Sequence, residues 1–175
     1  MTSSAIAIHP AGPSHVAGID ALLRGVFPRG DEADLVRHLC IDGDMVLTLV
    51  AAEEDGGAVI GMVAFSRMAV TVGDRPVRAV ALAPVAVAAG QRRQGVAEAL
   101  VQAGLDRLER EGIVLCFVLG EPDYYHRFGF HADYARHFAS PYAGDYLMAL
   151  PLQGGLMPCG VRGEARHAEA FSRLG

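Results

Sequence analysis

The chain has no lysine; all 15 of its basic residues are arginine. That excludes lysine as a base, as a Schiff-base former and as the cation of a P-loop. Genome composition alone produces such a bias, so the absence narrows the mechanisms without selecting one. Cysteine is scarce as well. Cys40, Cys116 and Cys159 are odd in number and far apart, which argues against a disulfide framework and a paired-cysteine zinc site. Cys40 and Cys116 stand in apolar surroundings and are expected in the core. No apolar run approaches the ~20 residues of a membrane span. The N-terminus lacks a basic start followed by a long apolar stretch. A reducing cytoplasm is therefore the expected compartment, with no membrane partner. His126, His131 and His137 lack helical metal-ligand spacing, so no metal is expected. The net charge of −5 argues against nucleic acid as a partner and leans weakly toward a cationic one.

What is present suits a folded protein. Of 175 residues, 51% are apolar and 20% charged, a balance that can bury a sizeable core. One domain over residues 1–175 is expected, with a core at about 5–151 and an irregular, glycine-bearing tail at 152–175. Ala5–His9 reads as a short strand. Ser14 is placed to cap a helix carrying Val16, Ile19, Leu22, Leu23, Val26 and Phe27, and Asp31 a second one burying Leu35, Val36, Leu39 and Cys40. Met45–Ala52, Val59–Val72 and Val77–Val87 then read as three strands joined by turns at Glu53–Gly57 and Gly73-Asp74, an antiparallel meander. Pro84 cannot donate to a ladder and marks a bulge or an edge in the third.

A helix over about Gln94–Glu111 follows, with Ala97, Leu100, Val101, Gly104, Leu105 and Leu108 on one face and Gly112 at its end. Ile113–Leu119 is an unbroken apolar run, as for a strand buried on both faces, and completes a parallel crossover. A short helix at Pro122–Arg127 and a strand at Tyr146–Leu150 close the pattern. The fold class is α+β: a mixed, mostly antiparallel central sheet with helices on both faces.

Two motifs carry chemistry. The apolar strand ending in Val85-Ala86-Val87 runs into Arg92-Arg93-Gln94-Gly95-Val96-Ala97, which opens the amphipathic helix. Backbone N–H groups at a helix start, a positive dipole end and two arginines make an anion site. The turn is neither a P-loop nor a dinucleotide fingerprint, lacking the Gly-Lys-Ser/Thr ending of one and two of the three glycines of the other. Alone, it is also how many surface helices begin. The second motif is Tyr124-Tyr125-His126-Arg127-Phe128-Gly129-Phe130. Alone, it is also how a packed turn looks. Phe128 and Phe130 are expected in the core, whereas each tyrosine hydroxyl needs a partner if buried.

In this order and separation, the two motifs resemble the GCN5-related N-acetyltransferase superfamily. Arg92, Gly95 and Ala97 match its Gln/Arg-x-x-Gly-x-Gly/Ala motif, and Tyr125, Gly129 and Phe130 its Tyr-x-x-x-Gly-Phe motif. The strings Val-Leu-Gly-Glu-Pro-Asp-Tyr-Tyr and Arg-Phe-Gly-Phe also resemble one bacterial branch, which has no single substrate to carry over. The likeness runs from about Ile6 to Leu150 and includes the element order.

The resemblance implies acetyl-CoA as acyl donor. Val85 would face the thioester carbonyl through its N–H, Val87 would bond the pantetheine arm, and Ala86 lies between them on the same strand end. The backbone of Arg93, Gln94, Gly95, Val96 and Ala97 would hold the pyrophosphate, with charge from Arg92 and Arg93. Tyr125 would be the general acid facing the departing thiolate. For the base, Glu121 is the first candidate; Asp123, Glu32 and His126 are the others. An asparagine that many members carry after the central strand is replaced here by Leu119-Gly120-Glu121.

The implied reaction is direct attack of an amine on the thioester, without a covalent enzyme intermediate. The acceptor is a small-molecule or peptide amine, and a homodimer is open to the family. Three rivals stand beside this: a catalytically silent acyl-CoA-binding module of the same fold, a nucleotide-binding domain, and a protein-interaction domain with an accidental motif.

Overall fold

A computed structural model describes residues 6–53, 57–154 and 162–174. The expectations for Ala5, for the middle of the Glu53–Gly57 turn, and for Gly155, Cys159 and Gly160 lie outside the described residues. Among those described, the strands are β1 (Ile6–Pro10), β2 (Met45–Glu53), β3 (Val59–Val72), β4 (Arg75–Val87), β5 (Leu115–Leu119), β6 (Phe138–Ala139), β7 (Leu147–Pro151) and β8 (Gly163–Arg166). The α-helices are α1 (Val16–Val26), α2 (Asp31–Ile41), α3 (Val96–Arg110), α4 (Pro122–Tyr125) and α5 (Ala132–Ala135). The strands pair in the order β1-β2-β3-β4-β5-β7, with β8 pairing β3 and β6.

The chain forms two compact units. The first comprises Met1–Phe65, Ala83–Gly104 and Ala170–Gly175; the second comprises Ser66–Leu82 and Leu105–Glu169.

Within the first unit, alternation along β3 explains the layering. Met62 and Ala64 pack with Ile19, Leu22, Leu23, Ala33, Val50 and Ala86. Gly61 and Phe65, on the opposite face of the pleat, take α3. A Cβ on Gly61 would lie 3.0 Å from Leu100 Cδ1, and one on Gly104 would lie 2.3 Å from Phe65 Cε2. Those absent side chains let the helix sit close to the strand. Of the expected α3 face, Leu100, Val101, Gly104, Leu105 and Leu108 are buried and Ala97 is half-buried.

Neither expected N-cap forms. A 3-10 turn over Pro13–His15 precedes α1, and the Gly12 N–H donates to His15 Nδ1, so Ser14 lies inside the turn. Gly30, with φ +72, caps α2 and leaves Asp31 as the first helical residue. Cys40 is exposed rather than in the core. The buried stripe of α2 runs through Ala33, Leu35 and Leu39, and the next residue lies ~100° further round.

Within the second unit, β5 pairs parallel with β4 over Ala79–Leu82 and antiparallel with β7 over its whole length. Val118 and the three residues before it are almost wholly buried, while Leu119 emerges at 50% exposure. The β5 ladder on β4 ends at Leu82, two residues short of Pro84; the Ala83–Pro84 peptide is cis. The tail departs from expectation. Gly163–Arg166 bond antiparallel to Ala69–Val72, and a 3-10 helix covers Glu169–Arg173. The hydrogen bonds come from β3, a partner with no local sequence signal.

Candidate active site

All nine residues expected to bind the cofactor lie in the first unit. Ala86 points into the core beside Met62 and Ala64, so only its backbone can serve a ligand. Val85 and Val87, on the other side of the pleat, are half-buried. After β4 a 3-10 turn at Ala89–Gln91 leads into the basic segment. Arg92, Arg93, Gln94 and Gly95 are exposed.

Two of these residues have left-handed backbone: Arg93 at φ +64 and Gly95 at φ +78. For arginine this is an unfavourable conformation. For glycine it carries no Cβ penalty. Gly95 also explains why α3 begins at Val96 rather than Gln94, since a left-handed residue cannot continue a right-handed helix. Its carbonyl accepts from the Ala99 N–H at 3.0 Å, closing the first helical turn. The N–H groups of Val96 and Ala97 then have no carbonyl one turn back within the helix. A Cβ added to Gly95 would meet nothing within 4 Å. A left-handed residue followed by a helix start is a backbone concavity suited to an anion, and the space in front of Gly95 is open.

Tyr125 and Glu121 lie in the second unit. Glu121 precedes α4 in extended conformation, and its carbonyl accepts from the N–H groups of Tyr124 and Tyr125, each at 3.1 Å. Its side chain is exposed. Tyr125 ends α4, and the chain continues as a 3-10 turn over His126–Phe128 rather than as one helix to Arg127. Gly129, at φ +98, turns the chain so that Phe130 is buried at 1% exposure; this gives the glycine of the Tyr-x-x-x-Gly-Phe motif a torsional reason. Phe128 is half-buried rather than core.

The Tyr125 ring meets Tyr124 edge to face at 4.9 Å between centroids, and Phe130 edge to face at 5.9 Å. Burial, helped by neighbouring Tyr124 and Cys116, pushes the Tyr125 hydroxyl up to about 12. Burial also raises the Cys116 thiol above the ordinary range, which suits neither a nucleophile nor a metal ligand. Arg127 stacks over the Tyr124 ring at 4.3 Å and donates to the Tyr124 carbonyl.

The other base candidates lie in both units. Asp123 and His126 are exposed, and Glu32 lies in the first turn of α2 in the other unit. His126 stacks on His131 at 5.1 Å. Among the described residues no group of three or more His, Cys, Asp or Glu could hold a metal, and no helix is long and apolar enough to cross a membrane.

Sequence reasoning missed two features. The left-handed Arg93 has no composition signal. Gly120 was readable only as a departure from a common asparagine; a Cβ there would lie 2.5 Å from Tyr125 Cε2. A cavity of about 1160 Å³ in the first unit, bordered by Val16, Leu23, Val36, Ile41 and Met45, contains none of the candidate residues.

The strand, basic turn and helix start at Val85–Ala97 and the Tyr-x-x-x-Gly-Phe segment are where the chain carries the motifs of the GNAT acetyltransferases. The chain belongs to that family: the acetyltransferase (GNAT) domain matches residues 7–132. It is 46% identical over 118 residues, 67% of this chain and 69% of the relative, to the uncharacterized N-acetyltransferase YhbS of Escherichia coli K12. The crystal structure of Escherichia coli YhbS in complex with CoA matches 100% of this chain and 96% of its own, with a TM-score of 0.89 and 36% identity. A GNAT acetyltransferase from Brucella melitensis in complex with acetyl-CoA matches 97% and 99%, with a TM-score of 0.75 and 26% identity.

Proposed function

We propose that this chain binds acetyl-CoA and transfers its acetyl group to a small-molecule or peptide amine. The observation that carries this is the turn at Arg92–Ala97, with left-handed Arg93 and Gly95, an open space before Gly95, and the start of helix α3 at Val96. Backbone donors of Arg93, Gln94, Gly95, Val96 and Ala97 hold the pyrophosphate, and Arg92 and Arg93 add charge. The Val85-Ala86-Val87 strand end, beyond the last β4–β5 pair, offers its backbone to the thioester and pantetheine. The CoA complex of YhbS and the acetyl-CoA complex of the Brucella protein support acetyl-CoA as the donor.

Tyr125 is the proposed acid. With its hydroxyl pushed up to about 12, full transfer to a thiolate of pKa ~8.5 is uphill by about 3.5 units, or ~5 kcal/mol. Tyr125 therefore begins as a hydrogen-bond donor to charge developing on sulfur. Protonation is completed when the amine releases its proton. An alkyl amine of pKa ~10.4 is neutral in only about one molecule in 2,500 at pH 7, a cost of ~4.6 kcal/mol. Glu121, exposed just before α4, is the proposed acceptor of the proton that the ammonium form gives up before attack; the second proton, lost from nitrogen as the C–N bond forms and the C–S bond breaks, goes to the thiolate. Most of the rate gain comes from holding donor and acceptor together and from oriented backbone donors. We assign residues 1–175 to one acetyltransferase domain acting in the cytoplasm, where free Cys40 and Cys116 stay reduced.

Binding and turnover test this separately. Acetyl-CoA should raise the melting temperature and a nucleoside triphosphate should not; the reverse would overturn the cofactor assignment. CoA thiol release should then depend on an added amine, across a panel of polyamines, amino acids and peptide N-termini. Binding without release from any of them would leave a silent acyl-CoA-binding module of the same fold.

A further inference from the structure

Gly120 follows β5 directly, and its backbone is held: its N–H donates to the Tyr146 carbonyl at 3.1 Å. It is not among the glycines with positive φ, so torsion does not demand a glycine there. Space does. A Cβ would lie 2.5 Å from Cε2, 3.1 Å from Cδ2 and 3.5 Å from Cζ of Tyr125. The ring has little room to retreat, because Tyr124 and Phe130 meet it edge to face and Phe130 is fully buried. The crowded edge lies beside Cζ, the atom that carries the hydroxyl.

We propose that Gly120 is a positioning residue for Tyr125: its missing side chain is the slot that sets where the hydroxyl points. This rests on the reading of Tyr125 as the acid, and two measurements keep the two ideas apart.

The first is a stability cycle that needs no activity. Gly120→Ala should lower the urea midpoint in the wild-type background and change it little in a Tyr125→Ala background, where the colliding ring is gone. Should Tyr125→Ala not fold, Tyr125→Leu supplies a background without an atom at Cε2. An equal loss in both backgrounds overturns the slot.

The second is kinetic, using CoA thiol release with the best amine of the panel. Gly120→Ala should lower kcat about tenfold or more and leave KM for acetyl-CoA within about threefold. In a Tyr125→Phe background the same change should lower kcat by less than about twofold, because the hydroxyl it displaces is already absent. Full multiplication of the two losses overturns the proposal, as does a wild-type kcat in Gly120→Ala beside a crippled Tyr125→Phe. A Tyr125→Phe enzyme with full turnover overturns the Tyr125 reading and this proposal with it. The stability cycle still reports whether the contact exists, which distinguishes that failure from failure of the slot alone.

Discussion

The turn at Arg92–Ala97 and the corner at Gly120–Phe130 are built on opposite rules. The turn is exposed and open, and its shape lives in the backbone: left-handed Arg93 and Gly95, then a helix start. The corner is crowded, and its shape lives in rings: Tyr124, Tyr125 and Phe130 meet edge to face, and Gly120 is the gap they use. A glycine therefore means different things in the two places. Gly95 has free space around a Cβ but a torsion that disfavours one; Gly120 has an ordinary torsion but no space. A binding turn can be set by torsions, because its ligand supplies the missing contacts. A proton donor has to be held by its neighbours.

The largest effect expected from that contrast is in the corner. Tyr125→Phe keeps the ring contacts and removes the hydroxyl, so kcat should fall about 100-fold while acetyl-CoA binding by calorimetry stays near wild type. A matching loss of binding would mean that the corner is part of the cofactor site.

The next is a pH effect belonging to the same ring. Below pH ~10 Tyr125 is protonated in both the folded and unfolded chains. Between there and about 12, the unfolded chain has lost the proton that the folded one retains, so stability falls as pH rises. The full loss is up to about 3 kcal/mol. Urea midpoints at rising alkaline pH should decline more steeply in wild type than in Tyr125→Phe.

The turn should answer in binding. Gly95→Ala forces a Cβ into left-handed backbone at ~1–2 kcal/mol and puts it in the space assigned to the pyrophosphate. KM for acetyl-CoA should rise about tenfold, with kcat at saturation much less affected. A kcat loss at unchanged KM would break the comparison.

The smallest effect is a gain. Arg93→Gly removes the Cβ penalty at φ +64 and should stabilise the apo protein by up to ~1 kcal/mol, read as a higher urea midpoint. The lost guanidinium should make acetyl-CoA binding less salt-sensitive than in wild type.

Much of the fold was readable from local pattern. The apolar stripe of α3 and the unbroken run in β5 each report their own burial. Residues without such a signal take their place from tertiary context. Asp31 loses the cap of α2 to Gly30, whose φ of +72 depends on how the chain leaves α1. Cys40 sits beside buried Leu39 yet faces outward, because a single residue's turn around a helix decides it. Gly163–Arg166 form a strand because Ala69–Val72 offer it hydrogen bonds, and no property of four short-range neighbours announces that.

By itself the sequence determined which residues could meet a phosphate and which tyrosine precedes a Gly-Phe turn. Those are matters of chain order, of residue types that tolerate a turn, and of apolar period. Only tertiary structure decided that Arg93 is left-handed, that Ala86 is spent on the core, and that Gly120 is empty so that Tyr125 can lie against it. The reason is physical: torsion preference and apolar period act over a few residues, whereas a collision at 2.5 Å exists only once β5 and α4 have brought the two residues together.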